Sequence, residues 1–297
     1  MKNGIVALVV LLSFCAKSAE DKYVPKPEDV KRVKEIVRTS LSAQPSQPRN
    51  VLVFYKTEGY CHRDSIALGN ATFKIVAEKT KAFSVDLSED YAVFKKENLD
   101  KYDAVVLLNT TSMKVKVHDY IVPNLTSFVK NGKGLAVIHA GADNFFDSDV
   151  AAAMVGGCFC GHPWNANRWW AFNNEDPSNP VSACFGKKFL ANDEIYVHTS
   201  PPFDRSKLHV LVSLDLTDSA TFAQTKKKMP KSWKFRDDND YAVSWIRPYG
   251  KGRVFYTSFG HDTHAWLDPA VLAHIMNGLQ YATGDLKADD SVKDPVK

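Results

Sequence analysis

The sequence predicts an α/β protein whose parallel sheet carries helices on both faces, with β-rich insertions added in the second half. Short, continuous apolar runs such as 104–108 and 135–138 alternate with helical segments in the first half. Strands that are buried on both faces have this composition, which favours a parallel sheet. After Gly156 the pattern changes, because Asn, Pro, Asp and Trp become frequent over 163–180 and further short apolar runs follow.

The first half supplies the elements of the parallel sheet. Val30, Val33 and Val37 fall on one face of a helix, and prolines after residue 44 end it. Pro123 is expected near the start of its helix, where a missing amide hydrogen is tolerated. In chain order we predict a leading helix at 28–42, strands at 51–55, 83–87, 104–108 and 135–138, and helices at 63–79, 117–129 and 147–155.

The second half adds strands and a closing helix. The strands are predicted at 195–197, 209–214, 242–246 and 254–259, and the helix at 267–281, where Gly284 stops it. Residues 285–297 form a polar tail that is expected to fray. The predicted organisation is a signal peptide at 1–18, a linker with the leading helix at 19–49, one domain at 50–284 and the tail at 285–297.

The amino terminus has the composition of a secretory leader. Lys2 precedes the apolar stretch 5–16, and small residues permit cleavage after Ser18. This stretch is shorter than the roughly 20 residues that span a bilayer, and no other segment is long and apolar enough to do so. Lipoprotein processing at Cys15 is the alternative, but Phe14 suits it poorly. We therefore expect a secreted or periplasmic protein.

Composition and charge favour a globular protein that acts on a small molecule. The chain has 297 residues, of which 44% are hydrophobic and 24% charged, enough for a large core. The formal net charge of +4 includes two lysines of the leader, and the remaining lysines are scattered. We therefore expect no nucleic-acid partner. A homodimer is possible.

Four of the 5 cysteines follow the leader, at positions 61, 158, 160 and 184. Export permits disulfides, but four cysteines allow three pairings and the sequence selects none of them. The segment 158–162, Cys-Phe-Cys-Gly-His, resembles a set of soft metal ligands, yet no second ligand pair has comparable spacing. Buried thiols or a single disulfide are the favoured interpretation.

Titratable residues follow several predicted strands directly. His62 comes after the first strand, His139 after the fourth and His261 after the last. The carboxyl ends of parallel strands share one edge of a sheet, where ligands bind, so these side chains are expected to converge. Glu194 precedes a strand and shares a face with His198, which makes a Glu/His pair available. We predict His62, His139, Glu194 and His261 as catalytic residues.

Neighbouring residues are predicted to contact the substrate. Flat tryptophan faces pack on the C–H faces of sugars, and Trp164 and Trp266 are predicted to lie in polar loops, where they would be exposed. The predicted substrate-binding set is Glu58, Asn109, Trp164, His198, Asp262 and Trp266.

Four segments, at 55–62, 132–140, 192–196 and 250–262, occur in an order and spacing that resemble the ThuA-like (trehalose utilisation) family. This family is a branch of the class I glutamine amidotransferase-like superfamily, and the resemblance extends from Asn50 to Thr283. It implies a flavodoxin-like sheet of the amidotransferase type.

The resemblance also bears on chemistry. In the amidotransferase relatives a cysteine nucleophile occupies the sharp turn after the strand that corresponds to 135–138, whereas here His139 stands at or next to that place. Cysteine-dependent glutamine hydrolysis is therefore expected to be lost, and a residual amidohydrolase is disfavoured. The family name implies sugar metabolism, with keto-disaccharides as plausible substrates.

Two mechanisms suit such a site. Histidine and glutamate can transfer protons in an isomerisation, elimination or hydrolysis. Alternatively, His62, His139 and His261 hold a divalent metal such as zinc, although no compact ligand motif is present. No cofactor is certain from the sequence. An alternative from a different functional class is a non-catalytic carbohydrate-binding or accessory module, which keeps the amidotransferase-like cleft but has no nucleophile.

Overall fold

The computed structural model describes residues 22–37, 41–227, 230 and 238–293. The predicted leader at 1–18 and part of the predicted leading helix, at 38–40, lie outside these residues. Among the helices of the described segments, none combines the length and apolar character needed to cross a bilayer.

The described strands form one large mixed sheet and one small sheet. The large sheet has the order β2-β1-β3-β4-β11-β10-β9-β6-β7, and its first five strands are mutually parallel. Strands β10, β9, β6 and β7 extend it in antiparallel fashion, and β5 pairs with β8 separately. The strands are β1 (Asn50–Phe54), β2 (Ser84–Ser88), β3 (Ala104–Leu108), β4 (Gly134–Ile138), β5 (Phe159–Trp164), β6 (Trp169–Asn174), β7 (Lys188–Asn192), β8 (Ile195–His198), β9 (His209–Leu214), β10 (Ala242–Tyr249) and β11 (Gly252–Thr257).

Helices cover both faces of the parallel strands, which confirms the predicted fold class. Val51 and Val53 of β1 point into the layer that contains α2 and α8, while Leu52 and Phe54 point into the layer of α4 and α5. The alternation explains why the strand is apolar throughout. The helices are α1 (Pro27–Ile36), α2 (Arg63–Thr80), α3 (Lys96–Leu99), α4 (Ile121–Lys130), α5 (Asp149–Val155), α6 (Ser219–Gln224), α7 (Thr263–Leu267) and α8 (Pro269–Thr283).

The sequence missed three strands, β5, β6 and β7, in the region that begins after Gly156. Their composition resembles that of loops, because β5 contains Pro163, β6 ends with two asparagines and β7 is only partly buried. Pro123 lies in the first turn of α4, as predicted.

The prediction that the tail frays is wrong for residues 285–293. Asp285 binds Arg49, the Tyr281 hydroxyl donates to Asp290 at 2.7 Å, and the Lys293 ammonium lies 2.6 Å from Asp176. These polar contacts hold the tail against the domain without any apolar periodicity, so sequence patterning gave no sign of them.

Replacing the tail residue Asp285 by asparagine is expected to lower the free energy of unfolding by about 2 kcal/mol at pH 7. The Asp285 carboxylate accepts from Arg49 Nε at 3.0 Å, and both side chains are nearly buried. Burial alone would raise the pKa of Asp285, but the hydrogen bonds, led by that of Arg49, hold this pKa below its usual value.

The stabilisation is therefore present above the unfolded pKa and lost as the pH falls through the lower folded pKa. Urea unfolding at pH 7 and under acidic conditions measures it. Asp100→Asn, which removes an exposed pair with Lys96, is the control and should change stability by less than about 0.5 kcal/mol. Equal losses of unfolding free energy in both variants would contradict a specific stabilising role for the Asp285–Arg49 pair.

Candidate functional site

The structure brings together His62, His139, Glu194 and His261, each with one potential ligand atom, and these atoms lie within 4.8 Å of one another. We call these four residues the His/Glu cluster. His62 precedes α2, His139 follows β4 directly and His261 follows β11, all at the carboxyl edge of the parallel strands. The strand-end argument predicted this convergence.

His139 stands on a sharp turn. Its φ of 46° lies in the left-handed region, which is uncommon outside glycine. Its Nδ1 lies 2.6 Å from the carbonyl oxygen of Ser258. Because a carbonyl can only accept, Nδ1 carries the hydrogen and Nε2 keeps a lone pair in the neutral ring. That Nε2 is buried, lies 3.8 Å from Glu194 Oε1 and has no hydrogen-bond partner among the described residues.

His62 and His261 complete the ring of nitrogens. The Nδ1 atom of each is buried and has no hydrogen-bond partner within the described part of the chain. Nε2 of His261 lies 3.6 Å from Glu194 Oε1. The ring centroid of His62 is 5.0 Å from those of both other histidines, in edge-to-face geometry.

Burial favours the neutral form of two of these rings, those of His62 and His139. It lowers the pKa of His62 to about 3, and the neighbouring His261 and His162 act in the same direction. Burial also holds the pKa of His139 well below its usual value, with His62 and His261 contributing. Neutral imidazoles present lone pairs, which is the form that binds metals.

A buried carboxylate, Asp193, fixes the backbone on two sides of the cluster. It accepts from the amides of Gly260 at 2.6 Å and His261 at 3.1 Å, and also from the amide of Glu194 at 2.9 Å. Asp193 therefore holds the loop after β11 against the connection between β7 and β8. Sequence reasoning did not assign it this role.

Asn109, predicted to bind substrate, is fully buried and has a structural role. Its Nδ2 donates to Ser65 Oγ at 2.9 Å and to the Gly260 carbonyl at 2.8 Å, while its Oδ1 accepts from the amide of Ala140 at 3.3 Å. It ties together the loops that carry His139 and His261.

The prediction that Trp164 and Trp266 are exposed and contact a sugar is wrong. Trp164 and Trp266 are each 0% exposed, so neither presents a face to a sugar. Trp164 ends strand β5 and donates to the Thr221 carbonyl at 2.9 Å, and Trp266 lies in α7 and donates to Ser65 Oγ at 2.8 Å. Neither residue lies in an exposed loop, although the polar residues next to it in the sequence had suggested one.

The other three predicted substrate-binding residues lie outside the cluster. His198 is buried beside Tyr256, 2.9 Å from its hydroxyl. Glu58 pairs with Lys114 at 3.2 Å. Asp262 caps α7 by accepting from the amide of His264 at 2.7 Å.

Two residues beside the cluster were missed. His162 Nδ1 lies 3.0 Å from Glu194 Oε2, and the ring of Tyr196 packs 4.1 Å from that of His139. Burial alone would lower the pKa of His162, but Glu194 raises it above its usual value. The signal for His162 lay in strand β5: had 159–164 been recognised as a strand, its pairing with β8 would have placed His162 near Glu194.

No disulfide joins any two of the four cysteines in the described chain, and Cys158 and Cys160 are buried whereas Cys61 and Cys184 are half-buried. Within the described residues, Cys158 and Cys160 belong to no group of potential metal ligands.

Comparison with known proteins identifies the family. The sequence model of the family ThuA, described as trehalose utilisation, matches residues 50–282. The chain belongs to the ThuA family. The match reproduces the limits expected from the four motif segments to within one residue, and it covers every member of the His/Glu cluster.

Solved structures show the fold of this ThuA-family chain. A ThuA-like protein from Bacteroides uniformis aligns at a TM-score of 0.61 and 20% identity, covering 80% of this chain and 92% of that one. A ThuA-like protein from Parabacteroides merdae aligns at 0.58 and 16% identity, covering 84% and 95%. PurLQS from Thermotoga maritima gives a TM-score of 0.43 at 15% identity, covering 78% and 99%. No curated protein matches the sequence significantly.

Proposed function

We propose that this ThuA-family protein is an exported enzyme that binds one divalent metal ion in the His/Glu cluster and transforms a keto sugar there. The observation that carries the proposal is the convergence of three histidines and one glutamate, each with a potential ligand atom, within 4.8 Å of one another. Each of the three rings also has one buried nitrogen that lacks a hydrogen-bond partner among the described residues. A buried polar atom left unpaired costs about 1–3 kcal/mol, and a bound cation would offset that cost.

The donor set fits a metal of the zinc class. Zinc accepts both imidazole nitrogens and carboxylate oxygens, and in tetrahedral sites with metal–ligand distances of roughly 2.0–2.2 Å the ligand atoms lie roughly 3.4 Å apart. The atoms here lie within 4.8 Å of one another, so a modest contraction would close the site. The Ser258 carbonyl, which orients His139, is the kind of outer partner that metal-binding histidines use.

When bound, such a metal polarises a carbonyl or activates water. The chain's own contribution is to favour the neutral form of His62 and His139, to place the Glu194 carboxylate beside His139 and His261, and to bury every member of the cluster except the partly exposed His261. A ketone in the substrate offers the oxygen that such a site would bind, and isomerisation, elimination and hydrolysis are all compatible with it.

An exposed aromatic ring at the cluster supports a sugar substrate. Tyr60 is 70% exposed, and its ring centroid lies 4.8 Å from that of His62. It offers the flat surface that Trp164 and Trp266 do not, and aromatic faces pack well on sugar C–H faces. The trehalose-utilisation description of the family points to the same substrate class.

Elemental analysis of the purified protein, combined with turnover assays on a keto-disaccharide and on the unoxidised disaccharide, tests the proposal. We expect one equivalent of a divalent metal, activity on the keto sugar, loss of that activity with a chelator and its return on adding the metal. Full activity of the metal-free protein would favour proton transfer without a metal. Sugar binding without any turnover would favour the non-catalytic module.

Tyr60→Ala is expected to raise KM for the keto-disaccharide about tenfold, since stacking on an aromatic ring contributes about 0.5–1.5 kcal/mol. The kcat and the metal content should stay at wild-type values because Tyr60 offers no ligand atom to the cluster. Tyr60→Phe, which keeps the ring, should resemble wild type, and Phe222→Ala on α6 is a matched control for removing an exposed aromatic ring. An unchanged KM in Tyr60→Ala would exclude the stacking role.

A further inference from the structure

The two oxygens of the Glu194 carboxylate face different partners. Oε1 lies 3.8 Å from His139 Nε2 and 3.6 Å from His261 Nε2, on the side of the His/Glu cluster. Oε2 lies 3.0 Å from Nδ1 of His162. Among the described residues, His162 is not part of the group whose potential ligand atoms lie within 4.8 Å of one another. Glu194 therefore connects the cluster to a histidine that lies outside it.

The contact between His162 and Glu194 is a hydrogen bond with a fixed direction. Because an ionised carboxylate can only accept, Nδ1 of His162 carries the hydrogen and donates it to Oε2. A hydrogen bond that involves a charged group is about twice as strong as one between neutral groups. The same Nδ1 lies 3.4 Å from Asn165 Oδ1, so its shorter contact is the one with Glu194.

The small sheet holds the ring of His162 in place. His162 lies in β5, and β5 pairs with β8 so that Trp164 is opposite Ile195, the first residue of β8. The register shifts on both sides of Gly161, an irregularity of the kind that re-aims side chains next to sites. The ring stacks on that of Phe159, with centroids 5.9 Å apart and an angle of 22° between the planes. Strand pairing and ring stacking therefore position the donor.

A donor at Oε2 restricts the orientation of the Glu194 side chain. The backbone of Glu194 is fixed separately, because its amide donates to Asp193 at 2.9 Å. Its side-chain torsions remain, and glutamate is among the residues that lose most rotamer freedom when they become ordered. With Oε2 bound to His162, Oε1 is the oxygen that faces His139 and His261.

We propose that His162 is a positioning residue for the metal centre, an inference that rests on the proposed function. Its Nδ1–H holds Oε2 of Glu194, so that Glu194 offers the single oxygen Oε1 to the metal. Carboxylates that bind metals are commonly held by such outer hydrogen bonds, and losing the outer partner lowers metal affinity about 10–100-fold. His162 thus acts on the metal only through Glu194.

Three substitutions at His162, each in the full-length protein, separate the hydrogen bond from the packing of the ring. His162→Phe keeps a ring and loses the donor, His162→Asn keeps an N–H group close to the position of Nδ1 and loses the ring, and His162→Ala loses both. We expect the zinc Kd, measured by competition with a chelating dye, to rise about 10–100-fold in His162→Phe and His162→Ala and to stay within about threefold of wild type in His162→Asn.

His264→Phe is the matched control. Nδ1 of His264 also lies 3.0 Å from a carboxylate, that of Asp262, but this pair is outside the cluster. Its zinc Kd should equal that of wild type. The metal-free Tm of the His162 variants should stay close to wild type, because the side chain of His162 is 32% exposed.

A double-mutant cycle tests whether His162 acts through Glu194. In a Glu194→Ala background, where three histidines still offer a zinc site, His162→Phe should change the zinc Kd by less than about threefold, since the carboxylate that it positions is absent. The absorption spectrum of the cobalt-loaded protein reports the ligand arrangement without turnover. His162→Asn should keep the wild-type spectrum, and His162→Phe should alter it.

Wild-type zinc affinity in both His162→Phe and His162→Ala would overturn the assignment. Weak binding by His162→Asn with wild-type binding by His162→Phe would also overturn it, because the ring alone would then matter. Complete loss of zinc from all three variants would make His162 a direct ligand, and a full effect of His162→Phe in the Glu194→Ala background would show that it does not act through Glu194.

The zinc measurements also distinguish failure of this role from failure of the proposed function. A wild-type protein that binds no zinc would reject the proposed centre and this role together. A wild-type protein that binds zinc but turns over no keto sugar would reject the proposed reaction alone, and the zinc affinities of the variants would still decide the role of His162.

Discussion

His261→Ala is expected to lose the bound metal and to reduce kcat/KM on the keto sugar by at least about a thousandfold. The substitution removes one of three nitrogens of the His/Glu cluster, and a metal that polarises a carbonyl contributes several kcal/mol to transition-state stabilisation. His261 is the best position for this test because its side chain is partly exposed, so its loss leaves a smaller internal cavity than loss of the fully buried His139. Metal content by elemental analysis and steady-state kinetics give the two readouts.

His264→Ala is the matched control. It lies three residues further along, is 51% exposed and pairs with Asp262 outside the cluster. Its metal content and kcat/KM should equal those of wild type. Glu194→Gln, which keeps the shape of the side chain and removes its charge, should weaken metal binding. Full metal content and full activity in His261→Ala would refute the proposed centre.

Trp266→Ala is expected to cost about 3–5 kcal/mol of unfolding free energy. The indole is completely buried between α2 and α7, and its Nε1 donates to Ser65 Oγ at 2.8 Å. A Cβ on Gly69 would come within 2.8 Å of the Trp266 ring, which shows how closely α2 packs on it. Removing the ring leaves a cavity and deprives Ser65 Oγ of one of its two hydrogen-bond donors, the other being Asn109 Nδ2. Urea unfolding measures the loss.

Trp169→Ala provides the comparison, because Trp169 is 61% exposed and should change stability by less than about 0.5 kcal/mol. Comparing the two variants distinguishes the cost of losing a buried tryptophan from the cost of losing an exposed one. A Trp266→Ala protein with wild-type stability and only a raised KM would contradict the buried role and restore the sugar-binding role that the sequence suggested.

The strand-end histidines could be predicted because their positions follow from topology. His139 comes directly after an apolar run, whereas a short loop separates His62 and His261 from theirs. Parallel strands with helical crossovers bring such ends to one edge of the sheet. Glu194 was singled out through a predicted pairing with His198. The structure places Glu194 beside His139, His162 and His261 instead, and His198 against Tyr256.

What could not be predicted depends on contacts between distant segments. Trp164 was placed in a loop and His162 was overlooked for the same reason, namely that β5 was not recognised as a strand. The roles of Asp193 and Asn109 consist of hydrogen bonds to Gly260, which is far away in the sequence. No local pattern encodes such partners, so only the folded chain shows that these two residues support the site.

At the left-handed turn of His139, the backbone geometry does not depend on which side chain the turn presents. Its backbone path is held by the Asn109 side chain and by pairing of β4 with β3 and β11, none of which depends on the identity of the side chain that the turn presents. Here the turn presents an imidazole. The scaffold is therefore compatible with different chemical groups at this position, and the chemistry of the site depends on which side chain the turn presents.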